Sequence, residues 1–550
     1  MLIELKTANR TIYSIVLFLI GICYSSLVNA QLNTGGIHGN FELNAQYYIA
    51  DSIIGTKDVP EKLLTNGFAN FVYSKDNFTA GLRYESYLNP LLGFDARYKG
   101  AGIPFRFLTY TNKELEITVG NYYEQFGSGL VFRSYEERGL GLDNAMEGLR
   151  LRYRPYQGIT VKAVIGNQRD FFSKGEGIVR GADVELNLNE LFTSWASKKT
   201  KWIFGGNFVS KFQDDQNPTY VLPKNVGAGS GRINVIRGNV DISGEYAYKI
   251  NDPSADNSYI FKSGSAALLN IAYSKKGFGA SLGAKRIENM SFRSDRTARQ
   301  TSLMINYLPA MTRQHTYILP AIYPYATQPN GEFGFQGEVF FNLKPGTSLG
   351  GTNGTDVTLN YSKAVDINKT PTGDDLGYKS DFLKIGHEIF FEDINVEVSR
   401  KLSKKVKLSL MLIYLDYNKG VIQIAGSGAG HVYSTSAIAE VHWKLSSKNA
   451  FRTEVQHLFT KQDQQSWVLW LVEYTMAPHW FIAGFDEYNY GNDISTNRLH
   501  YYSASFGFTK NSNRISIGYG RQRAGIFCIG GVCRNVPAST GFSMSITSSF

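Results

Sequence analysis

From about residue 36 onward, apolar and polar positions alternate with a period of two in segments of roughly ten residues. Val240, Ile242, Tyr246, Tyr248 and Ile250 alternate with Asp241, Ser243, Glu245 and Lys249. Tyr433, Ala437, Ala439, Val441, Trp443 and Leu445 alternate with Ser434, Ser436, Glu440, His442 and Lys444. Phe333, Phe335, Val339, Phe341 and Leu343 share one face. In the last segment Phe542, Met544, Ile546 and Phe550 oppose Ser543, Ser545, Thr547 and Ser549. Successive side chains of a strand point to opposite faces, so the pattern predicts strands with one apolar face. Short turns are expected at 74–77, 111–113, 154–158, 274–277, 402–404, 445–449, 476–479 and 510–512. Long connections are expected near 50–66, 89–102, 125–146, 169–177, 214–234, 290–331, 367–384, 418–430, 490–498 and 523–537.

A soluble sandwich also alternates. Three features favour a membrane barrel. The chain ends on Phe550 inside an alternating segment, similar to the C-terminal signal of bacterial outer-membrane barrels. Short turns alternate with long loops. Tyr, Phe and Trp sit at segment ends, where interface girdles lie. The fold class is therefore all-β, a single large antiparallel transmembrane β-barrel. With both termini on the short-turn side, parity demands an even strand count. About 9 strands precede residue 213 and about 13 follow residue 263, so none or two must lie between, giving about 22–24. Only one, 235–250, is evident there.

Composition narrows the class further. The 550 residues hold 55 Gly, 34 Tyr and 35 Phe, and 43% are apolar, which excludes a disordered chain. After the first thirty residues no apolar run is long enough for a membrane-spanning helix. Residues 1–30 read as a signal peptide: Lys6 and Arg10, an apolar stretch from Ile12 to Leu27, and Val28-Asn29-Ala30 before Gln31. Cys23 follows Ile22 rather than a small residue and is read as part of the discarded signal. Residues 31–550 form one barrel domain, with no N-terminal plug and no periplasmic C-terminal domain. Cys528 and Cys533 form a short disulfide or stand as two loop thiols. A net charge of +10 suits lipid, lipopolysaccharide phosphates or anionic glycans, and nucleic acid is not expected outside the cell.

Three segments carry the candidate chemistry. The first is 119–182, with Arg133 and with Arg150, Arg152 and Arg154 at alternate positions of one strand. A guanidinium at mid-bilayer costs about 2–4 kcal/mol on a lipid-facing position, so these groups face the lumen or an interface. They either form an anion-binding lumen patch or pair with Glu124, Glu136, Glu137 and Glu147 to fill a closed interior; the near balance of charge favours pairing. Gly127-Ser128-Gly129 permits a tight backbone path, as an inward constriction or an ordinary turn. The second segment is 290–331, with Arg293, Arg296, Arg299, Arg313, Tyr323 and Tyr325, and Asp295 as its only acid. Its apolar residues argue for order, as a plug in the barrel or a surface for a partner. The third is 521–538, the loop holding Cys528 and Cys533 beside the seam of first and last strands. The histidines show no metal-binding spacing, and no metal or other cofactor is expected.

These residues carry a resemblance. Tyr123–Arg133 with Gly141–Gly148, Arg286–Arg296, His315–Gly331 and Cys528–Arg534 resemble segments of large outer-membrane β-barrels of Bacteroidota whose function is uncharacterised. More loosely, residues 115–155 are similar to porin-like polysaccharide exporters and capsule-assembly barrels. The resemblance implies a cell outer-membrane location, short turns periplasmic and long loops extracellular. Two roles stand beside each other: a porin-like channel or exporter for anionic or glycan solutes, and a non-conducting structural subunit of an outer-membrane assembly or secretion complex with an outer-membrane protein partner. An outer-membrane hydrolase would assemble its triad across strands, and enzyme activity is not expected.

Overall fold

The computed structural model describes residues 35–56, 59–299, 301–423 and 429–550; the expected signal segment 1–30 lies outside them. The chain forms one closed antiparallel sheet of 24 strands. Each strand pairs with its sequence neighbours across the sheet, and the first, Gly36–Ile49, closes on the last, Ser539–Ser549, with Asn40 opposite Ser549 and Ile49 opposite Thr540. Closure removes every free sheet edge, which lipid requires because it cannot satisfy exposed N–H and C=O groups.

The parity gap resolves to two strands, Asn225–Arg237 and Val240–Lys249, joined at Gly238-Asn239. The first escapes a pattern search because Gly227, Gly229 and Gly231 occupy its outward positions, so no apolar alternation is visible. The exposed ring of Phe208 on the neighbouring strand lies over Gly227 and supplies the apolar surface the glycines lack. Two connections expected to be long are tight. Ile159–Asp170 turns into Ser173–Asn187 through Phe171-Phe172 alone. Thr355–Pro371 and Tyr378–Lys401 run on as a hairpin through most of 367–384, because irregular pairing between Ala364 and Lys369 bends the strands without ending them.

Outward positions are apolar. Leu282, Trp470, Ile517 and Leu412 are exposed on the wall, as lipid contact demands. The inner face divides in two. On Val406–Asn418 the inward residues Met411, Ile413 and Leu415 are buried and apolar, while Leu410, Leu412 and Tyr414 face outward. On Ser539–Ser549 the inward residues are Ser543, Ser545 and Thr547. A wall apolar on both faces has something packed inside it, and that something is loop.

Ile517→Arg, at the middle of Asn513–Gln522 on the lipid face, should lower barrel stability by about 2–4 kcal/mol, whereas Ser516→Arg on the inner face should leave it nearly unchanged. Urea unfolding in lipid vesicles, followed by the heat-sensitive mobility shift of folded barrels on gels, measures both. Equal sensitivity at the two positions would contradict the assignment of faces.

Candidate functional site

Three connections at the long-loop end turn inward and meet inside the barrel. The first follows Leu115–Tyr122 and contains two small hairpins, Glu124–Phe126 with Phe132–Ser134 and Glu136–Glu137 with Leu142–Asp143. Phe126, Leu130, Val131 and Phe132 are buried against Val164, Val179, Val209 and Val226 of the wall. Gly127 and Gly129 have φ of +52° and +92°, which side-chain-bearing residues rarely adopt. The turn they make presents the Ser128 N–H to Glu245 Oε2 at 2.8 Å, and Ser230 donates its hydroxyl to Oε1 at 2.6 Å. A Cβ at position 127 would lie 2.7 Å from that carboxylate. Gly127-Ser128-Gly129 is thus an inward turn that cradles a wall carboxylate.

A buried charge network ties this loop to the wall. Arg83 donates to Glu85 at 2.7 Å, meets Glu136 at 3.0 Å and contacts Asp143. Arg169 reaches Glu85 at 2.6 Å and Asp143 at 2.5 Å, and the Tyr123 hydroxyl donates to Asp143 at 3.0 Å. Arg138 joins Glu136 to Glu42 of the first strand, both at 2.8 Å. Ions removed from water are tolerated only when fully paired, so each group here depends on its neighbours.

The second connection, 289–331, crosses the lumen. At its start Met290, Phe292 and Ile305 join the core of the first loop. Arg293 pairs with Asp256 at 2.6 Å, and Lys249 donates to the Ser291 carbonyl. Backbone bonds stitch the two loops together: Arg133 N–H to the Ile305 carbonyl at 2.8 Å and Tyr307 N–H to the Gly129 carbonyl at 2.9 Å. Asn306 bridges the Leu130 and Met290 carbonyls. On the opposite wall His315 meets Asp393 at 2.7 Å, Arg313 pairs with Glu397, and Leu319, Ile322, Tyr323 and Tyr325 bury against Phe391, Tyr417, Leu458 and Trp467. The third connection is the hairpin Gly525–Ile529 with Val532–Val536, turning at Gly530-Gly531 and stapled by the Cys528–Cys533 disulfide. It rests on the other two. Tyr307 donates its hydroxyl to the Gly530 carbonyl, Gln314 its amide to the Cys528 carbonyl, and Arg534 its guanidinium to the Gly139 carbonyl.

The sequence candidates fall into place within this assembly. Arg150 faces inward and pairs with Glu116 at 2.6 Å and Glu124 at 2.8 Å. Arg152 has a buried Nε without a partner among the described residues, and Arg154 is exposed near the short-turn end. Arg133 is sandwiched by Tyr135 and Tyr307, its guanidinium 4.3 and 4.1 Å from their ring centres. Burial pushes the Tyr135 phenol above its ordinary range despite the adjacent guanidinium. Of the second group, Arg293, Arg313, Tyr323 and Tyr325 are anchors. Arg296 is buried and donates to the Pro223 carbonyl, and Arg299 is exposed. The Tyr323 hydroxyl donates to Asp463 at 3.3 Å, and burial, followed by that carboxylate, pushes the phenol up.

The sequence reading missed Arg83, Glu85, Asp143 and Arg169, together with Lys211, Lys249 and Asp252, where Lys211 pairs with Asp252 at 2.8 Å. A signal existed. Arg83 and Glu85 are opposite charges two residues apart on a strand, hence on one face, and that face cannot be in lipid. Gly279-Ala280-Ser281-Leu282-Gly283 has the spacing of a hydrolase nucleophile elbow, but it lies inside the strand Phe278–Glu288. No strand–turn–helix is there to expose a nucleophile, so the spacing gives hydrolysis no support.

Asp143→Asn should cost about 3–5 kcal/mol, because it removes the shared partner of two buried guanidinium groups. Limited proteolysis should then cut within 123–145 in a barrel that otherwise resists the protease. An uncut loop at unchanged stability would mean the network does not hold it.

A search of curated proteins finds no match. Among solved structures, the siderophore receptor PirA of Pseudomonas aeruginosa is 9% identical, with 94% of this chain and 80% of that chain covered and a TM-score of 0.41. A mutant ferric enterobactin receptor of the same organism, bound to enterobactin, is 10% identical, with 94% and 82% covered and a TM-score of 0.44. The usher PapC translocation pore is 9% identical, with 94% and 99% covered and a TM-score of 0.39. At such identities nothing of what those proteins bind passes to this chain. The model of one protein family, described as a family of unknown function (DUF6029), matches residues 9–550, and the chain belongs to that family.

Proposed function

We propose that the protein is an outer-membrane transporter for anionic or glycan solutes whose lumen is held shut at rest by its own loops. The observation that carries this reading is the path of 289–331, which crosses the lumen: Ser294 bonds Gln168 of Ile159–Asp170, and His315 pairs with Asp393 of Tyr378–Lys401, nine strands further round the barrel. A barrel closed in this way is no open porin. Polar space adjoins the loops on the short-turn side, in a cleft of about 490 Å3 lined by Glu124, Lys162, Glu185, Arg232 and Asn234. Such a cleft suits a solute waiting on a closed path. The reading assigns no catalytic step to any residue.

A second reading, a non-conducting structural subunit, draws on the outer wall. The bent hairpin of Thr355–Pro371 and Tyr378–Lys401 lies back over neighbouring strands. Ser380 bonds Glu288, Phe382 packs 6.1 Å from Tyr246, and Leu383 is 85% exposed. An apolar finger on the outside of a barrel suits lateral contact with another membrane protein.

Planar-bilayer conductance separates the two. The intact barrel should be silent, and a variant with residues 297–328 replaced by a short Gly-Ser linker should pass large, stable currents. A linker variant that folds, by its heat-sensitive gel mobility, yet stays silent would favour the structural subunit.

A further inference from the structure

The two inward loops do not treat all walls alike. Among the described residues, none of the hydrogen bonds or ion pairs given above joins either loop to His500–Lys510, Asn513–Gln522 or Ser539–Ser549. Tyr501 at the rim packs against the apolar cluster of the second loop, and below it the inner face is a row of small positions: Ser503 opposite Gly520, Ser505 opposite Gly518, and Gly518 opposite Ser543. Directly above it, between this wall, loop residues 316–321 and the stapled hairpin, opens a cleft of about 470 Å3.

The chemistry of the cleft is specific. Tyr48, Phe485 and Phe527 give it aromatic surfaces. Glu487 is only 3% exposed, with one carboxylate oxygen 3.4 Å from the Arg523 guanidinium. Its other oxygen, Oε2, is sealed from solvent and has no hydrogen-bond partner among the described residues, so a ligand hydroxyl reaches it as the loose pair with Arg523 opens. A buried carboxylate oxygen without a donor is costly, and native structures rarely leave one unless something else supplies the donor. A carboxylate beside a guanidinium takes one hydroxyl of a vicinal diol as donor and the next as acceptor. Aromatic rings take the C–H face of the same sugar ring. We infer that this cleft is a saccharide-binding site at the seam-side mouth of the barrel, with Glu487 and Arg523 as its hydroxyl-reading pair. It names the substrate class of the transporter proposed above and rests on that reading for the direction of traffic only. The Ser- and Gly-lined wall beneath it continues the site with hydroxyls and open backbone surface rather than bulky side chains.

Isothermal titration of the full-length protein in detergent tests the site. The probes are maltohexaose, cellohexaose, a chitin tetrasaccharide and an oligogalacturonate. At least one should bind saturably. Glu487→Gln, close in shape, should weaken that binding about tenfold by altering a charged hydrogen-bond acceptor. Ser503→Tyr, which fills the cleft from the wall side, should abolish it, and Lys276→Ala in an exposed short turn outside both clefts should change nothing. If Glu487→Gln fails to fold, Ser503→Tyr decides alone. No saturable binding of any probe, or binding that both folded variants retain, would overturn the site. Saccharide binding by a barrel that stays silent after loop replacement would overturn the transport reading and leave the site standing. Currents without binding would do the reverse.

Discussion

A wall of 24 strands encloses more space than its own inward side chains can fill. The rest of the structure follows from that excess. The outside is fixed by lipid and the backbone by closure, so the interior is either water or protein brought in from the rim. This chain brings in three of its connections. Their apolar residues find apolar partners on the walls they touch, Val209 and Val226 on one side and Leu415 and Trp467 on the other. The wall they leave uncrossed is small and polar.

Charge does the positioning that apolar packing cannot. A hydrophobic contact tolerates sliding, but a buried guanidinium has few acceptable positions. Arg83 and Arg169 converge on Asp143, which the first loop supplies, so that loop can dock in one register only. Glu245 does the same for the Gly127–Gly129 turn, because the cradle accommodates the carboxylate only where position 127 lacks a Cβ. The near-balanced acids and bases of 119–182, seven against nine, are therefore largely internal partners.

Much of the barrel was legible because lipid imposes a strict period on the outward face. The strand at 225–237 was not, since glycine on that face erased the period and its apolar cover came from Phe208 of a neighbouring strand. The tight connection at 171–172 was read as long because its flanks, Arg169-Asp170 and Ser173-Lys174, are polar near the rim, where lipid no longer selects apolar residues, and that at 372–377 because irregular pairing between Ala364 and Lys369 breaks the period. The inward path of 290–331 was half legible. Its apolar content spoke for order, and the direction was written in other strands: Met411, Ile413 and Leu415 make 406–418 apolar on both faces, which only an occupied lumen explains. The charge network was hardest to read, because Glu85 and Asp143 come together through a fold and not through spacing.

The three loops differ in how firmly they are held, and the difference orders any opening. The first two are fixed by buried ion pairs, whose disruption costs about 3–5 kcal/mol each. The stapled hairpin is held on them by hydrogen bonds from Tyr307, Gln314, the Thr327 N–H and Arg534, and its Gly530 N–H donates to Gln314. Hydrogen bonds of this kind are worth about 0.5–3 kcal/mol each, the upper end belonging to charged donors. Its disulfide closes a short loop within the hairpin and crosses to no other element, so it stiffens the unit without tethering it. Among the described residues no ion pair ties the hairpin to the other loops, and its disulfide makes it one stiff piece. It lies over the wall that the other loops' ion pairs do not reach, so on the transport reading proposed above its lifting would uncover the part of the lumen that the remaining plug obstructs least.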